Sequence, residues 1–459
     1  MPDDAYVTAV KSGASVRTSR IPGVQAPTDD RLRAMLGELA DQVGEAQHRW
    51  DKRDYVHGLV SYPAMMVPQL QRKLVELAVE WDPSIERFYD PFVGSGTVMT
   101  EAMLVGRQFV GADINPLAVL ICQVKQAIAD PEVLRRDLER VIEAAQRDRS
   151  RTIAVSFDGR DKWFTIPTSV RLSRLRRAIE GSVDPDVRRF WWVILYEVIR
   201  LTSNARTSTV KLHIRPAAEI ATRPDPSELF ASIARSRIDM MAEFRAALRR
   251  KRFSVRGKYC NSIDVAAESV LTHKISQADM LMTSPPYGDN HTTVAYGQAS
   301  FLALRWVPAE DVPGESIMYE NTRRTDAASL GGSLKNVWAE AAQCIDRSPT
   351  LRASLESLRN EPIDRAARVA AFFKDLDLAS QRILANLRPG ALMIWTLGDR
   401  SVGGQRVPMD LVLRELFDDR ATHIDTLVRG IPDSRKRMPS RNSISSTMSQ
   451  EKILVLRRG

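Results

Sequence analysis

Apolar strand-like runs alternate with amphipathic helical runs along most of the chain. The segment RFYDPFVGSGTVMTEAMLVGRQFVGADINPLAVLICQVK at 87–125 predicts a strand, a glycine-rich turn, a helix, a second strand and a second helix, which is one βαβ unit. Later, 278–287 contains a buried strand, 384–397 a Pro-Gly turn followed by a strand, and 451–458 a closing strand. We therefore expect an α/β fold built on a doubly wound sheet of about seven strands.

Residues 126–250 interrupt this alternation with helical periodicity alone. Apolar residues recur at helical spacing in EVLRRDLERVIEAAQ and in ELFASIARSRIDMMAEFRAALRRKR, while arginines crowd the polar faces. We expect a helical insertion that divides one domain into residues 29–125 and 251–459, preceded by a loose polar arm at 1–28. The arginine-rich faces fit either a solvated, salt-bridged surface or a surface that follows phosphates.

The net charge and the cysteine content limit the kinds of binding partner and the cellular compartment that we expect for this protein. The 459 residues include 66 Lys and Arg against 57 Asp and Glu, a net charge of +9, which suits a polyanionic partner such as nucleic acid. Cys122, Cys260 and Cys344 form no CxxC or Cys-His pair, so we expect neither a disulfide framework nor a metal site. A reducing cytoplasm fits best, and no apolar run is long enough to predict a membrane segment.

The turn after the first predicted strand indicates a cofactor. Gly94 and Gly96 let the backbone approach a ligand at the carboxyl end of that strand, where a doubly wound sheet opens its crevice. Asp113 ends the next strand, 17 residues after Gly96, about where such folds place a carboxylate that grips a ribose. Neither GxGxxG nor GxxxxGK[ST] occurs here, so we expect a cofactor with adenine and ribose but no pyrophosphate site.

The sequence TSPPY at 283–287 ends a later buried strand in a conformationally restricted segment. Two consecutive prolines fix two φ angles and remove two backbone donors, so the strand cannot continue. The side-chain oxygen of Ser284 and the carbonyl of Pro285 could form preorganised acceptors for the amine of a base, and Tyr287 could stack on a base swung out of its duplex. The motif alone also fits an ordinary turn with a core tyrosine, but beside the cofactor turn we favour the chemical interpretation.

Together these motifs resemble a known family, the DNA amino methyltransferases, which use S-adenosyl-L-methionine to modify cytosine N4 or adenine N6. The resemblance is carried by DPFVGSGT at 90–97, GADINPLAV at 111–119 and TSPPY at 283–287. Upstream, HGLVSYPAMMVPQLQRKL at 57–74 is similar to the segment that closes over the methionine end of the cofactor. The resemblance covers roughly residues 55–125 and 255–459 and implies a Rossmann-like methyltransferase sheet.

The resemblance also implies roles for individual residues. The catalytic loop would consist of Ser284, Pro285, Pro286 and Tyr287. The cofactor would be bound by residues in and around the matching motifs, namely Tyr62, Pro63, Asp90, Pro91, Phe92, Gly94, Gly96, Thr97, Asp113, Ile114 and Asp264. Within this set Asp113 would hold the ribose, and Asp264, expected just after a short strand, would lie near the adenine amine.

Serine at the first catalytic position favours cytosine N4, because members that modify adenine usually carry Asp or Asn there. We expect direct in-line transfer to the amine of a flipped cytosine in double-stranded DNA, without a cysteine adduct. Three alternatives stay open: adenine N6 methylation, guanine N2 methylation of RNA, and a DNA-binding relic without turnover. A cognate restriction endonuclease would be a natural partner; the target sequence and the oligomeric state are not predicted.

Two departures from the family pattern limit these assignments. Met65 stands where related sequences often have a lysine, which leaves the contact to the cofactor carboxylate unassigned. The insertion separates Asp113 from Asp264 by 151 residues rather than a few tens, and by its position we expect it to recognise the target. A second candidate for phosphate contacts is the segment 429–443, with its basic residues Arg435, Lys436 and Arg437.

Overall fold

The structure is a computed structural model that describes residues 27–45, 54–250, 263–431 and 448–459. Almost all of the arm predicted at 1–28 lies outside these ranges, as do Arg435, Lys436 and Arg437. The strands within them are β1 (Arg87–Asp90), β2 (Gln108–Ala112), β3 (Ile263–Ala266), β4 (Ala278–Thr283), β5 (Leu387–Gly398), β6 (Arg400–Val402), β7 (Gln405–Val407), β8 (Ala421–Gly430) and β9 (Gln450–Arg458).

Seven of these strands form one sheet in the order β3-β2-β1-β4-β5-β9-β8, while β6 and β7 form a separate hairpin. Strands β1 to β5 pair in parallel, and β9 runs antiparallel to both of its neighbours. The predicted sheet of about seven strands is confirmed, and the architecture is that of a Rossmann-like methyltransferase. Because the chain order reverses between β1 and β4, their carboxyl ends border the crevice in which doubly wound sheets bind ligands.

Helices cover both faces of the sheet. They are α1 (Asp29–Glu45), α2 (Pro68–Trp81), α3 (Thr97–Leu104), α4 (Pro116–Ala127), α5 (Pro131–Arg147), α6 (Arg160–Trp163), α7 (Ile166–Glu180), α8 (Pro185–Thr202), α9 (Ala217–Ala221), α10 (Pro226–Arg250), α11 (Tyr296–Leu304), α12 (Arg324–Ala328), α13 (Val337–Arg347), α14 (Pro349–Ser357), α15 (Ile363–Ala385) and α16 (Met409–Leu416). Among the described residues, no helix is both long enough and apolar enough to cross a membrane.

The two faces of the sheet have separate hydrophobic cores, as the period-two geometry of strands requires. Phe88 and Met280 point into the core shared with α2 to α4. Their chain neighbours Tyr89 and Leu281 point into the core shared with α13 to α16. The near-continuous apolar runs of the central strands are therefore explained by burial on both faces.

The predicted insertion is helical and comprises α5 to α10. Its most buried helix is α8, in which Phe190, Trp191 and Trp192 are completely enclosed. These side chains belong to the same core as α2 to α4 rather than to a core of their own. The insertion therefore packs as an extension of one face of the domain, and its role in target recognition stays a prediction.

The Pro-Gly turn predicted before the fifth strand is wrong in detail. Strand β5 begins at Leu387, ahead of Pro389 and Gly390, and Gly390 adopts φ +74° inside it. The pairing with β4 shifts there, so that Ala278 faces Leu387 whereas Met280 already faces Leu392. The extra residues are absorbed as a bulge because the chain on both sides of them keeps its pairing with β4.

Cysteines and other metal-ligating side chains occupy ordinary positions in the described chain. Cys122 and Cys344 are buried free thiols, while Cys260 lies outside the described residues. Within the described ranges no group of three or more His, Cys, Asp or Glu side chains is arranged to hold a metal ion.

The end of β5 has no room for a side chain. A Cβ on Gly398 would lie 2.6 Å from the ring of Tyr287 and would also collide with Met448. We expect Gly398→Ala to lower the free energy of unfolding by about 1–3 kcal/mol in urea denaturation, as overpacking usually does. The matched control is Gly37→Ala in α1, where no atom lies within 4 Å of the new Cβ and a gain of up to ~1 kcal/mol is expected. Equal stability of both variants would contradict tight packing of Tyr287 on β5.

Candidate active site

A pocket of about 830 Å³ opens at the carboxyl ends of β1, β2 and β4, where the strand order reverses. The lining comes from Tyr62–Met66, Pro91–Ser95 with Thr97, Asp113–Asn115, Ser269–Val270, the loop after β4, Tyr296, and the stretch from Thr325 to Leu330.

Most of the predicted site residues meet at this pocket. The predicted cofactor positions that line it are Tyr62, Pro63, Pro91, Phe92, Gly94, Thr97, Asp113 and Ile114. From the predicted catalytic loop, Ser284 and Pro286 line the same pocket. The remaining predicted residues, which do not line it, are Asp90, Gly96, Asp264, Pro285 and Tyr287.

The glycine turn owes its shape to left-handed backbone and to Asp113. Gly94 and Gly96 adopt φ +50° and +76°, and Gly96 caps the N-terminus of α3. The Asp113 carboxylate accepts hydrogen bonds from the backbone N–H of Gly94 at 2.9 Å and of Asn115 at 2.8 Å. A Cβ on Gly96 would lie 2.9 Å from the Cys122 sulfur, so this glycine allows close packing on α4 instead of lining the pocket.

Asp90 lies beneath the pocket and joins the two central strands. Its Oδ1 accepts the hydroxyl of Thr283 at 2.5 Å and the backbone N–H of Phe92 at 3.0 Å. Its Oδ2 is buried and has no hydrogen-bond partner among the described residues. Burial raises the pKa of Asp90 to about 7 against the opposing effect of these hydrogen bonds. Burial likewise raises the pKa of Asp113 to about 6.

The TSPPY loop presents Ser284 to the pocket and turns Tyr287 toward β5. The hydroxyls of Ser284 and Tyr287 are hydrogen-bonded at 3.2 Å. The Tyr287 ring packs against Gly398 and faces a second, smaller cavity beside Phe372 and Arg400. Burial raises the pKa of Tyr287 far above its ordinary value, so the phenol stays protonated at neutral pH.

A buried carboxylate that sequence reasoning missed holds the continuation of this loop. Asp289 is fully buried and accepts hydrogen bonds from Arg400 at 2.9 Å and from the Thr292 hydroxyl at 2.6 Å. Arg368 lies 3.6 Å from its other oxygen. The loop after β4 is therefore fixed at both ends, by proline at 285–286 and by this cluster at 289–292.

Asn115 is a second residue that sequence reasoning missed, and it organises the part of the pocket wall that contains Tyr62. Its amide nitrogen donates to the hydroxyl of Tyr62 at 3.0 Å and to that of Ser300 at 2.7 Å. Its oxygen accepts the N–H of Leu117 and so caps helix α4. Tyr62 in turn stacks on Tyr296, with 5.9 Å between ring centroids. The sequence signal was an N-cap asparagine followed by proline, which predicts the cap but not the tyrosine.

The expected position of Asp264 is wrong. The residue lies inside β3 rather than after it, and its side chain is exposed. Ile263 and Val265 are buried, so the alternation of the strand turns Asp264 to the open face of this edge strand. The loop after β3 reaches the pocket through Ser269 and Val270 instead.

The sheet order, the glycine turn and the pocket at the reversal of strand order match a Rossmann-like methyltransferase fold. Residues 67–154 match the model of a family described as D12 class N6 adenine-specific DNA methyltransferase. The chain is 29% identical over 445 residues to the Type II methyltransferase M.MvaI of Kocuria varians, which covers 92% of this chain and 93% of that protein.

A shorter match links the chain to the Type II methyltransferase M.MjaII of Methanocaldococcus jannaschii. It has 32% identity over 88 residues, 19% of this chain and 16% of that protein. The family match and the long relative support the resemblance to DNA amino methyltransferases. They leave the choice between cytosine N4 and adenine N6 undecided.

The buried carboxyl of Asp90 has a testable pH signature. Because its pKa rises from 3.8 to about 7 on folding, its contribution to stability is largest at low pH and falls as the pH increases through that window. Asp90→Asn keeps an acceptor for Thr283 but cannot ionise. We expect the unfolding free energy of the wild type to fall relative to this variant by up to ~1.4 kcal/mol per pH unit between pH 5 and pH 7.

Urea unfolding of both proteins at several pH values measures this difference. Asp113 is present in both proteins, so its own titration cancels except for its electrostatic interaction with Asp90. Parallel stability curves for wild type and variant would contradict a raised pKa at Asp90.

Proposed function

We propose that the protein transfers a methyl group from S-adenosyl-L-methionine to the N4 amine of a flipped cytosine in double-stranded DNA. The observation that carries this proposal is that Ser284 lies in the wall of the same pocket as Gly94 and Asp113. A methyl acceptor held by Ser284 and a nucleoside held by the glycine turn would therefore share one cavity, as in-line transfer requires.

The chemistry of the lining fits such a cofactor. Pro91, Phe92 and Ile114 offer apolar surface for an adenine ring, and Asp113 offers carboxylate oxygens for ribose hydroxyls. Tyr62 and Met65 stand at the segment that the family resemblance assigns to the methionine end. When bound, the cofactor supplies an electrophilic methyl group on a sulfonium.

The catalytic loop would act by holding the amine rather than by removing its proton. Ser284 Oγ keeps a free lone pair when Tyr287 donates to it, and that lone pair can accept one amine hydrogen. The carbonyl of Pro285 can accept the other, in a loop whose φ angles are fixed. This geometry exposes the nitrogen lone pair to the methyl, and the proton leaves to water once the nitrogen is alkylated.

The proposal also specifies which base is methylated. Serine at position 284 favours cytosine N4, whereas the family model matched at 67–154 is described as N6 adenine-specific. Adenine N6 is therefore the second candidate. Both bases present an exocyclic amine on the Watson–Crick edge, so the same acceptors would serve either reaction.

We also propose that the protein is the modification enzyme of a restriction system, because its relatives are named Type II methyltransferases. We propose further that the helical insertion recognises the target. A loop of the insertion contacts the segment after β4: Lys211 donates to the carbonyl of His291 at 3.1 Å, and the N–H of Leu212 donates to Gln298 at 3.1 Å. Arg206 and His213 are exposed on the same loop. Positive charge beside the catalytic loop suits phosphates that flank a flipped base.

Nucleoside mass spectrometry identifies the product directly. Duplex DNA incubated with the protein and deuterium-labelled cofactor should contain labelled N4-methylcytosine. Ser284→Ala should reduce labelling by about 10²-fold, the usual cost of one preorganised polar contact in a transition state. Labelled N6-methyladenine would select the second candidate, and label in RNA but not in DNA would overturn the proposed substrate.

Variants of Asp113 test cofactor binding independently of methyl transfer. Asp113→Ala should weaken S-adenosylhomocysteine binding in calorimetry by about 10-fold or more, through loss of the ribose contact and of the bond to Gly94. Asp113→Asn keeps one acceptor for the loop and should lose less affinity. Wild-type affinity in the alanine variant would exclude Asp113 as a cofactor residue.

A further inference from the structure

One polar side chain of the pocket has an unused hydrogen-bond acceptor. Asn290 is only 3% exposed and lines the pocket together with Ser284 and Asp113. Its Oδ1 has no hydrogen-bond partner among the described residues. Buried side-chain oxygens are normally paired, so an unpaired oxygen at a ligand pocket calls for a donor from the ligand.

The orientation of the Asn290 amide follows from its neighbour Asp326. The Asn290 side chain acts to lower the pKa of Asp326, which burial raises; the Asp326 carboxyl is 2% exposed and accepts the N–H of Gly297 at 3.0 Å. A side chain that lowers the pKa of a carboxyl acts as a donor toward it, so the amide nitrogen faces Asp326 and the amide oxygen faces away from it. The backbone of Asn290 is held by the adjacent Asp289 and its bonds to Arg400 and Thr292.

Other polar side chains around the pocket are already engaged. The Ser329 hydroxyl donates to the backbone carbonyl of Asp326 at 2.7 Å. The Thr325 hydroxyl donates to the carbonyl of Met318, also at 2.7 Å. Asn115 uses both its nitrogen and its oxygen. Asn290 therefore differs from these neighbours in that its buried side-chain oxygen makes no hydrogen bond at all within the described residues.

We propose that Asn290 is a ligand-contacting residue whose Oδ1 accepts an N–H from an amino group bound in the pocket. The proposal rests on the proposed function, which brings two such groups to this cavity: the α-ammonium of the cofactor and the exocyclic amine of the flipped base, for whose second hydrogen Asn290 would be the acceptor in place of the Pro285 carbonyl. Both are N–H donors, and both leave a bond unmade when the acceptor is removed. The two sources are separated by experiment.

The test compares Asn290→Ala with Asn360→Ala, a control of the same residue type that is exposed and does not line the pocket. Calorimetry without DNA measures the affinity for S-adenosylhomocysteine and for an analogue that lacks the α-amino group. Steady-state kinetics and binding assays use duplex DNA with cytosine at the target and duplex DNA with pyrimidin-2-one, which lacks the amine, at the same position.

If the ammonium is the donor, Asn290→Ala weakens S-adenosylhomocysteine binding about 10-fold and leaves the deaminated analogue unaffected. If the base amine is the donor, cofactor affinity is unchanged, while binding or turnover of cytosine DNA falls about 10-fold and pyrimidin-2-one DNA binds both proteins equally. Asn360→Ala should match the wild type in every assay. Equal losses for ligands with and without the amino group, or no loss at all, would overturn the proposal.

A second variant and the pair of cofactor analogues cover the cases in which Asn290→Ala does not fold or DNA is not methylated. If Asn290→Ala does not fold, Asn290→Ser, which retains a hydroxyl for Asp326, enters the same comparison. If the wild-type protein binds the cofactor but methylates no DNA, the proposed function fails, while the pair of cofactor analogues still decides whether Asn290 contacts an ammonium.

Discussion

The buried hydrogen bond between Thr283 and Asp90 is the constraint on which the site depends. It joins the last residue of β4 to the last residue of β1 at 2.5 Å, where the strand order reverses. The cofactor turn begins one residue after Asp90, and the catalytic loop begins one residue after Thr283. A shift at this contact would therefore move both loops, and rigid strand ends are the support that a transfer reaction with strict geometry needs.

Contacts other than the Thr283–Asp90 hydrogen bond make each of the two loops rigid, and they differ between the loops. The cofactor turn relies on left-handed glycines and on the carboxylate of Asp113, which binds its backbone. The catalytic loop relies on proline and on the buried cluster around Asp289. Burial raises the pKa of Asp113 to about 6 against the hydrogen bonds that it accepts. Only Asp289 faces arginines, and this pairing allows a fully buried carboxylate to anchor the loop.

The strands, the glycine turn and most of the pocket were predictable because each depends on residues close together in sequence. Asp264 was misplaced because a four-residue strand with one charged position does not reveal its own end. Asn115 and Asn290 were missed because their significance comes from partners 53 and 36 residues away, Tyr62 and Asp326. The Pro-Gly pair of β5 became a bulge because pairing with β4 outweighed the local turn preference.

The hydrogen bonds that pocket side chains make within the protein indicate which of them support the pocket and which are available to a ligand. Asn115 has its hydrogen-bonding groups engaged within the protein, so it shapes the wall of the pocket and offers little to a ligand. The Asn290 amide has its nitrogen toward Asp326 and retains a free acceptor. Since an amide fixed by one partner loses little further entropy on binding another, such a group gains selectivity for N–H donors at low cost. Placing it six residues beyond Ser284, on the same rigid loop, couples ligand recognition to the positioning of the amine.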